Sequence, residues 1–255
     1  MYKIGVQLYT IRTMLGTELN MRDALSKIKD MGYDCVQLVD FGSAKDIEPC
    51  CEYCRQIGLE FAGLLTSMGA CEERHKELFA LCNAFDIPDI GVSTEEMDYE
   101  DVLKFIDRAN SFAKKAKQNG VTFSYHNHSH EFIRTSCGKT VMNLLFDGLD
   151  KENVLFMPDT FWVQHGGFDV RYFIELVRGR ASVVHIKDIK RTKQGHFFAP
   201  VGQGNLYIKG IVETALNAGI SRFIVEQDEC EKDPLDCLND SYKYLKNVLE
   251  NVGGQ

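Results

Sequence analysis

Three histidines fall within five positions of one short stretch, and a glutamate follows directly. The stretch reads YHNHSHEF, residues 125–132, and it contains His126, His128, His130 and Glu131. Imidazole nitrogens bind borderline divalent cations and accept protons near neutral pH, and carboxylates do the same at suitable positions. A single histidine on a strand is more often a hydrogen-bonded core residue. The density of such groups here favours metal binding or proton transfer.

Further candidate groups stand where short apolar runs end. Asp159 follows VLFMP, His185 and Lys187 lie in ASVVHIKD, and Glu226 follows RFIV. A carboxylate next to a buried strand is costly unless it is paired or binds an ion, which favours a functional role for Glu226. Asp159 has an alternative role as the cap of a turn. Lys187 has an alternative role in a salt bridge with a neighbouring aspartate.

The elements that would position these groups follow a regular alternation of short apolar runs and longer amphipathic stretches. We predict strands over 3–9, 35–40, 60–65, 89–94, 121–128, 154–160, 181–188 and 222–228. We predict helices over 19–31, 46–57, 71–85, 98–119, 139–146, 169–178, 206–218 and 234–251. Eight strand–helix units in this length indicate an α/β fold, a (β/α)8 TIM barrel formed by residues 1–255 as a single domain. An open doubly wound sheet is the alternative, but no GxGxxG follows the first strand.

In such a barrel the active site lies at the carboxyl ends of the strands. Strands five to eight would each bring an imidazole or a carboxylate to that rim. Gln37 and Asp228 also stand at strand ends, without an assigned role. Imidazoles together with carboxylates suit one divalent metal ion, with Mn, Co, Zn or Mg as the candidates.

Composition and charge narrow the classes of partner. The net charge is −8 and no basic block stands out, so we expect no nucleic-acid partner. No run of about 20 apolar residues is present, so we expect no membrane span. The first residues lack the apolar region of a signal peptide, and we infer a cytoplasmic protein.

Two further patterns have a structural explanation beside a functional one. The chain has nine cysteines, and Cys51 and Cys54 form a CxxC pair with Cys50 beside it. Since no second pair follows at zinc-finger spacing, we expect reduced thiols packed as small apolar residues. Gly202 and Gly204 precede the seventh helix, where backbone N–H groups could bind a phosphate or sugar oxygen. A simple turn explains them equally well.

Several motifs together resemble a known family. In order they are IGVQLYTIR, YHNHSHEF, PDTFWVQHGG, VHIKD, VGQGNL and FIVEQD. This set resembles the sugar phosphate isomerase/epimerase family of the xylose-isomerase-like TIM barrel superfamily, which also holds endonuclease IV, tagatose 3-epimerase and inosose dehydratase. The resemblance runs nearly end to end and is specific for the superfamily but not for a substrate.

The resemblance implies a divalent metal held by a Glu, Asp, His, Glu set from strands five to eight. Asp159, His185 and Glu226 match the last three positions. At the first position many relatives read ENH, where this chain has His126, Asn127 and His128. Either His126 replaces the glutamate or Glu131 supplies the carboxylate, and the expectation is Glu131.

The implied reaction is isomerisation or epimerisation of a ketose or ketosugar through an enediolate. Glu226 would act as base on one face, Glu131 or His128 on the other, and Lys187 would neutralise developing charge. Substrate contacts are expected from Gln7, Tyr9, His126 and Trp162.

Two other functions stay open. Departure of a leaving group from the enediolate would make the protein a dehydratase or lyase of keto-sugars, of the inosose dehydratase or 3-keto-glycoside type. A non-catalytic sugar-binding or partner subunit is the second. The expected partner is a small-molecule sugar, and a homodimer is compatible with the resemblance because barrels of this family commonly pair.

Overall fold

Eight parallel strands form the central sheet of the protein, for which a computed structural model describes residues 2–40 and 42–253. These strands are β1 (Lys3–Gln7), β2 (Cys35–Val39), β3 (Glu60–Thr66), β4 (Asp89–Val92), β5 (Thr122–His126), β6 (Val154–Met157), β7 (Val183–Ile186) and β10 (Arg222–Val225). Their order is β6-β5-β4-β3-β2-β1-β10-β7, which leaves β6 and β7 as the two ends.

The two ends of this sheet meet and close the barrel. The backbone N–H of Phe156 donates to Arg180 O at 2.6 Å, and that of His185 donates to Pro158 O at 2.8 Å. Asp159 and His185 form an isolated parallel bridge between the same two strands. The expected (β/α)8 TIM barrel is therefore confirmed.

Helices connect the strands and cover the outside of the barrel. They are α1 (Glu18–Met31), α2 (Ala44–Ile57), α3 (Met68–Glu73), α4 (His75–Phe85), α5 (Tyr99–Gln118), α6 (Val141–Gly148), α7 (Thr160–His165), α8 (Val170–Leu176), α9 (Ile208–Asn217) and α10 (Pro234–Gly253). The ends of α1 show how the sequence sets them. Thr17 Oγ1 accepts a hydrogen bond from the Asn20 N–H, and Gly32 ends the helix with φ 106°, a value that favours glycine.

Several local predictions were wrong. Leu8 and Tyr9, predicted as strand, lie in a 3-10 helix over Leu8–Met14. The helix predicted over 71–85 is two helices, because Arg74 has a non-helical backbone (φ −119°, ψ 20°). The strand predicted to end at Asp188 ends at Ile186. Asp188 instead begins β8 (Asp188–Thr192), which pairs antiparallel with β9 (Gly195–Ala199). The segment that follows β6 forms the short helix α7 rather than an extended strand end.

The barrel interior is filled by two layers of side chains. The lower layer is apolar and comprises Cys35, Ala62, Met157, Val183 and Ile224. Side chains two positions apart on a strand share one side of the sheet, so the residues two positions further on lie above this layer. For four of these strands those residues are Gln37, Asp159, His185 and Glu226. The two-residue repeat of the strands thus brings these polar groups together above the apolar layer.

The cysteines of α2 pack as predicted. Cys50, Cys51 and Cys54 are free thiols in the main hydrophobic core. Burial raises the pKa of the Cys51 thiol above its ordinary value, which keeps the thiol in its unreactive protonated form. In residues 2–40 and 42–253, no helix has a stretch long and apolar enough to cross a membrane.

Candidate metal and substrate site

Four buried side chains at the carboxyl ends of consecutive barrel positions form one cluster. His126, Asp159, His185 and Glu226 each place one nitrogen or oxygen atom within 4.8 Å of the others. The rings of His126 and His185 lie 4.5 Å apart between centroids. His126 Nε2 is 4.0 Å from Asp159 Oδ2. Two imidazoles and two carboxylates are thereby directed at one small volume.

The orientation of His185 is fixed from both sides. Its Nε2 lies 2.6 Å from Gln37 Oε1, and its Nδ1 lies 2.7 Å from Glu226 Oε2. Gln37 Oε1 also accepts a hydrogen bond from Gln7 Nε2 at 2.8 Å. An amide oxygen can only accept, so Nε2 of His185 carries a proton and Nδ1 faces Glu226.

The neighbouring strand β3 has an irregularity beside Gln37. The pairing of β2 with β3 shifts between Val36 and Gln37, whose partners are Phe61 and Gly63, so Ala62 is an extra residue. A bulge of this kind redirects neighbouring side chains and is frequent next to active sites.

A buried lysine neutralises the acids of the cluster. Lys187 Nζ lies 3.2 Å from Asp159 Oδ2, 3.2 Å from Glu226 Oε2 and 2.9 Å from Asp228 Oδ1. Burial lowers the pKa of Lys187, but the three carboxylates outweigh burial and raise it above its ordinary value. The side chain is therefore an ammonium ion at neutral pH.

The two carboxylates beside Lys187 differ in their environment. Burial raises the pKa of Asp159, and Lys187 offsets only part of that effect. Burial raises the pKa of Glu226 as well, but the charge of Lys187, 3.2 Å away, and the contact with His185 hold it well below the ordinary value. Glu226 is thus the more firmly ionised of the two.

The cluster has the properties expected of a site for a divalent cation. Burial keeps the pKa of His126 well below its ordinary value, so the imidazole is neutral, as a ligand must be. His126 Nδ1 and Asp159 Oδ2 are buried atoms without a hydrogen-bond partner in the described part of the chain. Mixed imidazole and carboxylate ligands suit borderline divalent ions. The residues present therefore fit a metal ion.

The cluster opens into a cavity of about 450 Å³ at the carboxyl ends of the strands. Its wall includes Gln7, Tyr9, Asp40, Glu95, His128 and Asp228. The predicted substrate residues Gln7 and Tyr9 are thus on the wall of one cavity with His126. Their contact with a substrate stays a prediction.

Aromatic side chains pack beside His128 and Lys187. The Trp162 ring lies 5.3 Å from that of His128, and Lys187 Nζ is 5.4 Å from the Trp162 centroid. Phe198, from the β8–β9 hairpin, stacks on Phe161 at 4.2 Å. Trp162 Nε1 is buried and has no hydrogen-bond partner among the described residues. Trp162, Phe161 and Phe198 are not among the residues that line the cavity, and the contact of Trp162 with a substrate stays a prediction.

The model of the family described as xylose isomerase-like TIM barrel matches residues 25–248. The chain belongs to this family. The resemblance inferred from its motifs is thereby confirmed.

Among relatives of this xylose isomerase-like barrel is an inosose dehydratase of Mesomycoplasma hyopneumoniae (strain 7448). It is 28% identical over 160 residues, which cover 55% of this chain and 52% of that protein. The chain spans about half the length of the curated relatives it matches.

Solved structures with the same fold cover the whole barrel. A sugar phosphate isomerase/epimerase from Parabacteroides distasonis ATCC 8503 has 20% identity and a TM-score of 0.79, covering 96% of this chain and 94% of that one. A xylose isomerase-like TIM barrel protein from Mycobacterium smegmatis, in complex with magnesium, has 14% identity and a TM-score of 0.76, covering 99% and 98%. At these identities the similarity shows the fold.

Glu131 lies apart from the four clustered residues of this xylose isomerase-like barrel. Its Oε1 accepts a hydrogen bond from Tyr125 Oη at 2.7 Å, and its Oε2 accepts one from the His128 N–H at 2.9 Å. It belongs to a second group, with His128 and His130. The structure thus places His126, not Glu131, beside Asp159, His185 and Glu226, and Glu131 holds the loop that follows β5.

Sequence reasoning gave no role to two residues that the structure brings into the site. Gln37 holds His185, and Asp228 contacts Lys187 and lines the cavity. Burial raises the pKa of Asp228 to about 6. The available signal was their position at the ends of predicted strands two and eight, and Asp228 also stands two residues beyond the candidate ligand Glu226.

Proposed function

We propose that this barrel is a divalent-metal-dependent isomerase or epimerase that moves a proton next to the carbonyl group of a ketosugar. The observation that carries the proposal is the buried cluster of His126, Asp159, His185 and Glu226, of which His126 and Glu226 line the cavity. These four residues would hold the cation. When bound, the cation would polarise the substrate carbonyl and stabilise negative charge on its oxygen.

Proton transfer needs a group that is free to accept a proton at the cavity wall. His128 lines the cavity from the end of β5, and its Nδ1 has no hydrogen-bond partner among the described residues. Burial, and then the charge of Lys187, lower the pKa of His128 to about 4. The imidazole is therefore neutral, as a general base must be before it acts. Glu131 holds the His128 backbone and thus orients this base.

The opposite wall offers a second proton-transfer group. Asp228 lines the cavity from beyond the end of β10, and Lys187 holds its carboxylate at 2.9 Å. Return of the proton from the wall opposite the base inverts the carbon centre and gives epimerisation. Return to the neighbouring carbon gives isomerisation. Lys187 would keep its contacts with the acids and add a fixed positive charge beside the developing enediolate.

The experiment that tests this proposal measures metal content and carbon–hydrogen exchange together. Wild-type protein loaded with Mn²⁺, Co²⁺, Zn²⁺ or Mg²⁺ is incubated with ketohexoses and ketopentoses in D₂O, and loss of the proton next to the carbonyl is followed by NMR. We expect exchange that depends on metal. Asp159→Asn should lose both the bound metal and the exchange. His128→Asn should keep the metal and lose the exchange. His75→Asn, on an outer helix, is the control. No metal binding in wild-type protein would overturn the proposal.

A dehydratase is the second candidate, favoured by the inosose dehydratases among the relatives. The same first proton removal would be followed by loss of a hydroxyl group from the adjacent carbon. The leaving oxygen would take a proton from a wall group, so that water departs and a carbon–carbon double bond forms. Incubation with an inosose distinguishes the two functions. Dehydration gives an enol that tautomerises to a diketone with a new methylene signal, while epimerisation keeps all hydroxyl groups.

A further inference from the structure

We infer that the cavity accepts a ketosugar without a phosphate group and that Glu95, at its mouth, selects against phosphate esters. The identity of the ligand as a ketosugar rests on the proposed function. The selection against phosphate rests on the distribution of charge around the cavity, which is independent of the reaction.

Acidic groups outnumber cationic ones on the cavity wall. Four carboxylates line it, from Asp40, Glu95, Glu226 and Asp228, and Lys187 is the one lysine or arginine among the described lining residues. That ammonium is within 3.2 Å of three carboxylates, so its charge is already balanced. Apart from the metal ion that the proposed function places at the base of the cavity for the carbonyl end of the sugar, a phosphate ester, with a charge near −2 at neutral pH, would find no free cation there.

The arginine that contacts the lining residue Asp40 is also paired. The Arg74 guanidinium contacts Asp40 Oδ2, to which Thr66 Oγ1 also donates at 2.8 Å. Its other terminal nitrogen lies 3.7 Å from Glu77 Oε1. Asp40 and Glu77 balance the charge of Arg74, and Arg74 is not among the residues that line the cavity, although its buried Nη1 has no hydrogen-bond partner among the described residues.

The backbone donors that could replace a cation are occupied as well. In many TIM barrels phosphate binds to loops that follow strands seven and eight. Here the N–H groups of Gly202 and Gly204 donate to Asp188 Oδ2 at 2.9 and 3.0 Å, and that of Leu206 donates to Oδ1 at 3.2 Å. These N–H groups are therefore already bonded to the Asp188 carboxylate. An added Cβ on Gly204 would overlap that carboxylate.

Glu95 is the carboxylate of this wall that is exposed to solvent. It follows β4 in a segment held by Thr94, whose Oγ1 lies 2.7 Å from Tyr125 Oη. No hydrogen bond or ion pair of its side chain occurs within the described part of the chain, so its charge acts on whatever enters. A negative group at the mouth repels a dianionic ester and leaves a neutral polyol unaffected.

The test compares matched pairs of probes on the full chain loaded with metal. D-fructose, D-tagatose and D-ribulose are each set against their terminal phosphate ester, and carbon–hydrogen exchange is measured at constant ionic strength. We expect each free sugar that reacts to exchange at least tenfold faster than its ester. Glu95→Lys should raise the ester-to-sugar ratio by roughly five- to tenfold for a change of two charges. Glu96→Lys, the exposed neighbour that makes the same charge change, should leave the ratio unaltered.

An ester that exchanges faster than its free sugar in wild-type protein would overturn the inference while supporting the proposed function. If no probe exchanges, the proposed function fails and binding of inorganic phosphate decides the inference alone. Thermal stability in rising phosphate, matched against chloride, gives that readout. Saturable stabilisation of the wild type would overturn the inference. Stabilisation gained only in Glu95→Lys would support it.

Discussion

Gln37 Oε1 lies 2.6 Å from His185 Nε2, so a side chain of strand two sets the orientation of an imidazole on strand seven. Hydrogen bonds of this kind fix the tautomer of a ligand, and their removal commonly costs 10- to 100-fold in metal affinity. We therefore expect Gln37→Leu to weaken Mn²⁺ binding by roughly that factor, measured by competition with a chelator. Gln56→Leu, on the exposed side of α2, is the matched control. Equal affinity in both variants would show that Gln37 does not orient His185.

Glu131 and His126 give opposite predictions for metal binding. Glu131 accepts two hydrogen bonds that hold Tyr125 and the His128 backbone, and His126 lies in the four-residue cluster. Glu131→Gln should lower stability by about 1–3 kcal/mol and leave metal stoichiometry unchanged. His126→Ala should abolish metal binding. Elemental analysis and thermal unfolding of the two variants check this. Loss of metal in Glu131→Gln but not in His126→Ala would make Glu131 the metal ligand in place of His126.

Lys187 balances three carboxylates, and its removal should make the protein depend on metal. Without the ammonium these buried acids are uncompensated, a change that typically costs 3–5 kcal/mol. We expect Lys187→Met to lower the melting temperature strongly in EDTA and to be stabilised by added Mn²⁺ more than the wild type is. Lys193→Met, in the exposed turn of the hairpin, controls for loss of a lysine. A variant as stable as the wild type in EDTA would contradict the expectation.

Asp89 gives a prediction on pH dependence far from the metal cluster. Its Oδ1 accepts hydrogen bonds from Ser124 and Thr122, and its Oδ2 has no hydrogen-bond partner in the described chain. Burial raises the pKa of Asp89, and the two hydroxyl groups offset only part of that effect. A raised carboxyl pKa contributes stability below the unfolded pKa of about 4, and this is lost as pH rises through the folded pKa.

Asp89→Asn should therefore be more stable than the wild type at pH 7–8, by on the order of 1 kcal/mol, because the amide is not ionised. The difference should vanish as pH falls towards 4. Chemical unfolding at several pH values measures it, with the exposed Asp107→Asn as control. A variant less stable than the wild type at pH 8 would mean that the amide loses more in hydrogen bonding than it gains in charge.

The barrel was predictable from sequence because each unit has its own local signals. Apolar runs such as RFIV mark strands, and Gly32 ends its helix as expected. The β8–β9 hairpin was missed because Asp188 reads as the end of strand seven. Its position as the first residue of a new strand depends on contacts with residues 202–206, which no local pattern shows.

Asp159, His185 and Glu226 were predictable as neighbours because each stands at a strand end in the barrel. The choice between His126 and Glu131 was not, because it depends on where Tyr125 directs its hydroxyl group. Gln37 was overlooked as a functional residue for a related reason. Its effect on His185 arises from a contact across the barrel, which the sequence of either strand alone does not reveal.

The seam between β6 and β7 lies beside the metal cluster. Asp159 and His185, which form the bridge between these two strands, are also two of the four candidate ligands. An ion held by both side chains would link the first and last strands of the sheet by a bond stronger than the backbone contacts alone. Loading with metal would then slow amide hydrogen exchange along Val154–Met157 and Val183–Ile186. Bound metal would thus make the barrel more rigid as well as support its chemistry.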